Sequence, residues 1–267
     1  MKIAIIGCGN MGGAIVRGLA RGSVFCAEDI SVSDVNPDAL DAVSREIPGL
    51  RTELDAFECV READIVLLAV KPWLVDHVID CIKFRMDYGR QIFISIAAGI
   101  SIDVLGTHLR KSSGGDNIPV IFRVIPNIAI SISKSVNLIA TENASEDQKL
   151  LIRRIFGELG MAIMLDESKL SAGTSLTSCG IAYFFRHVRA AMLAGVEMGF
   201  YPKEAREMVV NTMLGAAELL LRNGDNPEDE IDRVTTPGGI TIRGINELEA
   251  CGFSSAIIRA LKLSGNH

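Results

Sequence analysis

Two stretches of this chain carry residue types and spacings that could do chemistry, and neither contains a strong acid, a strong base or a metal-ligand set. The first is Gly7-Cys8-Gly9-Asn10-Met11-Gly12, which fits G-x-G-x-x-G. Between a strand and a helix, glycines at this spacing make a tight turn, let backbone approach a pyrophosphate and let the helix pack close to the strand. The helix start then presents unpaired N–H groups and the positive end of its dipole to the phosphates. The same pattern also serves a strand-turn-helix connection that binds no nucleotide. The second stretch runs from Val234 to Ile245 and contains Thr235-Thr236-Pro237-Gly238-Gly239-Ile240-Thr241. Pro-Gly-Gly is a turn, and the spacing of Ile242, Ile245, Leu248 and Glu249 predicts a helix from Thr241 onward. Free N–H groups of Gly239, Ile240 and Thr241 at that helix start suit a carboxylate. Thr236 and Thr241 flank it with hydroxyls that donate or accept. A well-capped turn that binds nothing is the alternative.

Regular elements must position both stretches, and the first part of the chain supplies them in alternation. Ile3-Ala4-Ile5-Ile6 is an unbroken apolar run of the kind buried on both faces of a parallel sheet, and Gly13 to Ala20 continues as a helix. Ile30-Ser31-Val32-Ser33-Asp34 reads as a second strand ending in an acid. Asp34 follows the glycine loop by about 20 residues, the spacing at which a carboxylate bonds the ribose 2′-OH of NAD and repels a 2′-phosphate. Asp34 equally suits the opening of the turn Asp34-Val35-Asn36-Pro37. A helix with Leu40 and Val43 inward starts at Pro37. Asp64 to Val70 is another buried strand, ended by Lys71-Pro72, and Val75, Val78, Ile79 and Ile82 recur at helical spacing. In Gln91 to Gly99 the small Ala97, Ala98 and Gly99 leave room for a flat ring at a strand's C-terminal end, or form an ordinary small-residue turn. Pro119–Asn127, Val136–Ala140 and Met161–Leu165 read as the remaining strands. Ser145 to Gly160 is a helix with Leu150, Leu151, Ile155 and Phe156 inward and Gly160 as its stop. The class is therefore α/β, with a doubly wound sheet over residues 1–165.

From residue 166 to 267 no strand is apparent, and this part reads as a second, all-α domain. Leu170 to Gly199 is one long, mostly apolar helical stretch, and Pro202 opens another that stops at Asn223-Gly224. Helices so apolar need partners on more than one side, and about a hundred residues have little interior to offer. A homodimer that packs these helices together resolves the excess; covering the nucleotide domain of the same chain is the alternative.

Composition narrows the function. The chain has 267 residues, 48% of them hydrophobic and 22% charged, enough for a large core. A net charge of -6 and a pI near 5.3 without a Lys/Arg cluster argue against nucleic acid or an anionic membrane as partner. No apolar run approaches the roughly 20 residues of a membrane span, and a strand starting at residue 2 leaves no place for a signal peptide, so a cytoplasmic location is expected. The six cysteines contain no C-x-x-C pair and read as reduced and mostly buried. His77, His108, His187 and His267 show no ligand spacing, and no metal is expected.

Over nearly its whole length the chain resembles the pyrroline-5-carboxylate reductase family. The resemblance runs through Gly7 to Gly12, Leu68-Ala69-Val70-Lys71-Pro72, Ser95-Ile96-Ala97-Ala98-Gly99-Ile100-Ser101, Arg123-Val124-Ile125-Pro126-Asn127 and Val234 to Glu249. It implies an N-terminal Rossmann domain and a helical dimerisation domain whose Thr-Pro-Gly-Gly-x-Thr loop completes the active site, from the same chain or from the neighbouring subunit. It also implies that dimers can assemble further, into a decamer built of dimers. The implied reaction is hydride transfer from NAD(P)H to the C=N bond of 1-pyrroline-5-carboxylate, giving L-proline. The implied roles are cofactor binding by Gly7, Gly9, Asn10, Met11, Gly12, Asp34, Ala69, Val70, Lys71, Pro72, Ala97 and Gly99. Substrate binding falls to Gly238, Gly239, Thr236, Thr241 and Asn127, with Thr241 and Thr236 also in the catalytic role. The sequence departs from the family at Ile128-Ala129, where a Thr-Pro is usual, and at Thr177-Ser178-Cys179-Gly180-Ile181, where Ser-Gly-Ser-Gly-Pro is usual. These departures keep two alternatives open: reduction of another cyclic imine or oxo acid, and a non-catalytic dinucleotide-binding paralogue. Many members carry an Arg after the second strand; Asp34-Val35 lacks it, which predicts a preference for NADH over NADPH.

Overall fold

Four consecutive residues with no polar atom in their side chains open the sheet: β1 (Ile3–Ile6) is buried throughout. Gly9 then leads into α1 (Asn10–Arg21). The computed structural model describes residues 1–111 and 118–265; His267 lies outside the described residues. The alternation continues with β2 (Ile30–Ser33), α2 (Pro37–Glu46), β3 (Arg51–Glu53), α3 (Ala56–Cys59), β4 (Ile65–Leu68), α4 (Val75–Ile82), β5 (Ile92–Ser95) and α5 (Ile102–Leu109). After these come β6 (Val120–Ile125), β7 (Ser135–Ala140), α6 (Glu146–Gly157) and β8 (Gly160–Met164). Asn36 caps α2, its side chain accepting from Asp38 N–H, and Ser145 caps α6 in a reciprocal capping box with Gln148.

The eight strands lie in the order β3-β2-β1-β4-β5-β6-β7-β8. All pairs are parallel except β6 with β7, which is antiparallel. Alternation along β1 separates two cores: Ile3 and Ile5 pack with α1 and α6, while Ala4 and Ile6 pack with α4 and α5. Phe93, Phe122 and Phe156 are fully enclosed in these layers. Truncating any of them to Ala would cost about 3–5 kcal/mol.

Three local expectations are corrected. Gly160 does not stop a helix: α6 ends at Gly157, and Gly160, at φ +137, starts β8 so close to the Ser135 backbone that no Cβ would fit. Leu150 is on the outer side of α6 and exposed, whereas Ile155 and Phe156 are buried. The six cysteines are all free, but only Cys8 and Cys59 are buried; Cys26, Cys81 and Cys251 are exposed.

After β8 the described chain is helical: α7 (Leu170–Thr174), a wide π turn over Ser175–Cys179, then α8 (Gly180–Glu197), α9 (Pro202–Asn223), α10 (Pro227–Val234), α11 (Ile240–Ala250) and α12 (Phe253–Ser264). Leu170 to Gly199 is thus interrupted, not one continuous helix. The chain forms two compact units, the first Met1–Ser178 and the second from Cys179 onward. The change from alternating elements to helices alone comes at Asp166, so α7 and most of the π turn pack with the sheet. Within the second unit, α8 and α9 approach closely where Gly195 faces Ala205. Tyr183 and Ser264 share a hydrogen bond, and His187 meets Phe253 edge-on, with ring centroids 6.3 Å apart. No helix among the described residues is long and apolar enough to cross a membrane.

Candidate functional site

Strand order reverses at β1, with β2 on one side and β4 on the other. At such a point the loops leaving the strands diverge and open a crevice at their C-terminal ends. Gly7 leaves β1 there with φ +104, its N–H donating to Ser33 O at 2.7 Å, while Ala69 N–H donates to Ile6 O at 2.7 Å. A Cβ on Gly7 would lie 2.6 Å from Ala69 O, and one on Gly12 would collide with Gly7 O. Gly9 differs, since no atom lies within 4 Å of where its Cβ would be. Two glycines are therefore required by packing, and the third keeps open space in front of the loop.

No side chain caps α1, and its first turn holds no acid. The N–H groups of Asn10, Met11 and Gly12 have no acceptor within the helix, so they and the helix dipole are available to an anion. Asp34 adjoins this start. Its Oδ2 accepts Cys8 N–H at 2.6 Å and its Oδ1 accepts Asn36 N–H at 2.9 Å. The carboxylate thus opens the turn and at the same time ties the glycine loop to β2. A carboxylate has about four lone-pair positions, so two remain for a ligand hydroxyl. The neighbouring Val35 side chain is 91% exposed and brings no positive charge. Burial, reinforced by the Asp34 charge, pushes the Cys8 thiol above its ordinary pKa, which keeps it protonated and inert beside the loop.

The other residues expected at the cofactor lie on the loops after β4 and β5. Ala69 and Val70 are half-buried against Gly7, and Val70 Cγ1 would sit 3.2 Å from a Cβ there. Lys71 is exposed and precedes the single turn Pro72–Leu74. Ala97 is buried, its N–H donating to Ser95 Oγ at 3.2 Å, and Gly99, at φ +78, has open space around it. Asn127 is buried after β6. Its Oδ1 accepts Ala129 N–H at 3.0 Å and its Nδ2 donates to Thr177 O at 3.4 Å, which leaves one amide hydrogen. Most of its side chain is committed, on one side to its own loop and on the other to the π turn.

On the helical unit, Gly238 has φ +69 and Gly239 N–H donates to Thr236 O at 2.9 Å. The expectation of a free Gly239 N–H is corrected: that group closes the turn. The open donors are those of Ile240, Thr241 and Ile242, the first turn of α11, which has no side-chain cap. Thr236 and Thr241 are both exposed beside it. The predicted residues therefore fall into two groups, one on each unit: the glycines with Asp34, Ala69 and Val70, and the pair of threonines with the Pro-Gly-Gly turn.

Sequence reasoning missed the groups that hold the loops. Arg123, on β6, forms an ion pair with Glu167, and both side chains are largely buried. Nothing in sequence spacing couples positions so far apart. Among the described residues no group of three His, Cys, Asp or Glu side chains could hold a metal. The fit is to a dinucleotide: an uncapped helix start, glycines whose Cβ atoms would fill the cradle, and an acid at the end of β2.

Comparison with known proteins agrees with this geometry. The family pattern described as pyrroline-5-carboxylate reductase dimerisation matches residues 167–266, and one described as NADP oxidoreductase coenzyme F420-dependent matches residues 2–99. Pyrroline-5-carboxylate reductase 1 of Dictyostelium discoideum is 35% identical over 99% of this chain, which spans only about half (48%) of that protein's length. The pyrroline-5-carboxylate reductase of Methanosarcina acetivorans is 34% identical, with 98% of this chain and 96% of that protein covered. Among solved structures, a pyrroline-5-carboxylate reductase from Coxiella burnetii superposes with a TM-score of 0.89 at 28% identity, covering 99% of this chain and 96% of that one.

Proposed function

The chain belongs to the pyrroline-5-carboxylate reductase family and is an NAD(P)H-dependent oxidoreductase acting on a C=N bond, and from that premise we propose how its residues divide the work. The reaction is reduction of 1-pyrroline-5-carboxylate to L-proline, the closing step of proline synthesis, and the second unit is the dimerisation domain of a homodimer. When bound, the reduced nicotinamide supplies the hydride. A protonated cyclic imine is already electrophilic, so the chain's own task is to hold two reactants in register. That is why neither constellation contains a strong acid or base.

In this reading the N–H groups of Asn10, Met11 and Gly12 hold the pyrophosphate, with Gly7 and Gly9 giving it room. Asp34 accepts from the adenosine ribose, and Ala69, Val70, Lys71, Pro72, Ala97 and Gly99 border the nicotinamide half. The turn at Gly238 and Gly239, with the first amides of α11, holds the substrate carboxylate. Thr241 orients the ring nitrogen, with Thr236 beside it and Asn127 offering its remaining amide hydrogen. The observation that carries the reading is the uncapped start of α1 at the point where strand order reverses. The charge on Asp34, fixed by two backbone donors, supports NADH over NADPH, because a 2′-phosphate would be brought against it. Further assembly into a decamer of paired subunits is the expected higher state, to be read by sedimentation.

The test is loss of reduced-nicotinamide absorbance with purified protein and 1-pyrroline-5-carboxylate, run with NADH, with NADPH and with a six-membered cyclic imine acid. Turnover on the order of 1 per second or faster with the five-membered substrate is expected. Turnover only with the six-membered acid would change the substrate, and cofactor binding without turnover would make the chain a binding protein.

A further inference from the structure

The short segment between β8 and the second unit makes more contacts than a connection needs. Glu167, just after β8, places one carboxylate oxygen, Oε1, between two donors: Arg123 Nη1 from β6 and, at 2.8 Å, the backbone N–H of Ile102 at the start of α5. Side-chain exposure is 11% for Arg123 and 18% for Glu167, so water screens this pair little. Eleven residues on, the π turn is fastened to the loop after β6. Ser178 Oγ donates to Pro126 O at 3.0 Å, and Thr177 O accepts from Asn127 Nδ2 at 3.4 Å. Between these two fastenings Gly173 lies close against β7, where a Cβ would come within 2.6 Å of Leu138 Cδ1 and push that side chain aside. The β6 loop has one further fastening, Asn127 N–H donating to Ser135 Oγ at 2.9 Å, and the π turn adds the hold on Pro126 and on the Asn127 side chain. Around Gly99 there is open space, and past Asn127 the chain carries the exposed Ile128.

We propose that Glu167–Ser178 is a brace that positions the two loops at the nicotinamide end of the crevice, with Glu167 fixing Ala97–Ser101 through Ile102 and Ser178 fixing Pro126–Asn127. Arg123 acts through Glu167. None of the three touches the reactants in this account; they are positioning residues. The π turn is explained by the same requirement: widening the helix by one residue brings Ser178 Oγ and Thr177 O toward the β6 loop together. The proposal rests on the reading of these loops as nicotinamide neighbours, since hydride transfer is steep in distance and a shift of about 1 Å can cost on the order of a hundredfold.

The experiment uses the full chain and compares Ser178→Ala, Ser178→Thr and Glu167→Gln with wild type by three readouts. These are affinity for ADP-ribose, amide hydrogen exchange over residues 97–102 and 126–129 without ligand, and kcat with its primary deuterium isotope effect from 4-deuterated reduced cofactor. ADP-ribose engages only the glycine loop and the Asp34 end. Expected for Ser178→Ala is unchanged ADP-ribose affinity, faster exchange over 126–129, kcat lower by about tenfold with a larger isotope effect, and recovery in Ser178→Thr. Glu167→Gln should instead speed exchange over 97–102. Exchange and kcat equal to wild type would overturn the brace, as would a fall in ADP-ribose affinity parallel to a general loss of thermal stability. A wild-type chain that binds ADP-ribose but does not reduce the cyclic imine overturns the functional reading itself. In that case altered exchange in the variants would still show the brace holding the loops.

Discussion

Between Ile3 and Met164 the apolar side chains find one another within a single chain; beyond Cys179 they do not. The sheet unit encloses two layered cores with whole strands out of contact with water. Among the described residues of the helical unit only Gly180, Gly195 and Ala205 are buried. Leu193, Met198, Leu214, Leu219 and Leu221 on α8, α9 and the turn joining them are all at least half exposed. Leaving such a side chain in water forgoes about 1.5–3 kcal/mol each. A monomer could not carry that many, and the family's dimerisation role for this region supplies the missing cover. One unit is a finished fold, and the other is half of one.

The contrast can be broken most forcefully in the finished unit. Gly12→Ala forces a Cβ into the Gly7 carbonyl, and a loss of about 4 kcal/mol with loss of dinucleotide binding is expected in thermal melts and titration. In the half-finished unit, Leu214→Glu would be nearly neutral on a true surface. If α9 is covered by a second copy, it should cost about 3 kcal/mol of assembly and shift sedimentation to monomer. A dimer of wild-type stability would move the interface to another helix face. Thr241→Ala leaves both folds intact and should lower kcat/KM by roughly tenfold to a thousandfold, about 1.4–4 kcal/mol; an unchanged value removes Thr241 from the mechanism. Gly9→Ala, where a methyl meets nothing, should leave the melting temperature alone and weaken NADH binding by about tenfold. Smallest is Asp34→Asn, which keeps an acceptor for one backbone donor but loses the charge. The NADH-to-NADPH ratio of kcat/KM should fall by less than about tenfold; a wild-type chain that prefers NADPH would remove the charge argument.

The sequence was most readable where burial and backbone demands coincide. β1 and its glycine loop could be placed because a strand covered on both faces must be apolar and its exit must be glycine. α2 and α9 announced themselves through Pro at the first turn, and Gly224 ends α9 in the left-handed conformation. The edge strand β3, Arg51-Thr52-Glu53, left no trace because none of its residues is buried. The helix α10 has a legible start in Asn226-Pro227 with acids at Glu228, Asp229 and Glu230, but with only Ile231 and Val234 apolar and no residue buried it carries little periodic signal. In the site, residue types singled out the glycines before α1 and the threonines beside α11. They could not show that Asp34 would be shared with Cys8 N–H, or that Gly239 would spend its N–H on its own turn, because both depend on where a folded loop puts an amide.

The tether from Pro126 to Ser178 also sets an order of events during synthesis. A loop that closes across about fifty residues cannot close before its far end exists, and closing it is entropically expensive until neighbouring strands have paired. The glycine loop, by contrast, takes its backbone partners from Ser33 and Ala69, both made within the first seventy residues, while α6, packed against α1, comes later. A nascent chain on the ribosome should therefore form the hydrogen bonds of its glycine loop well before the tether at the other side of the sheet can close, with α6 completing the packing behind α1.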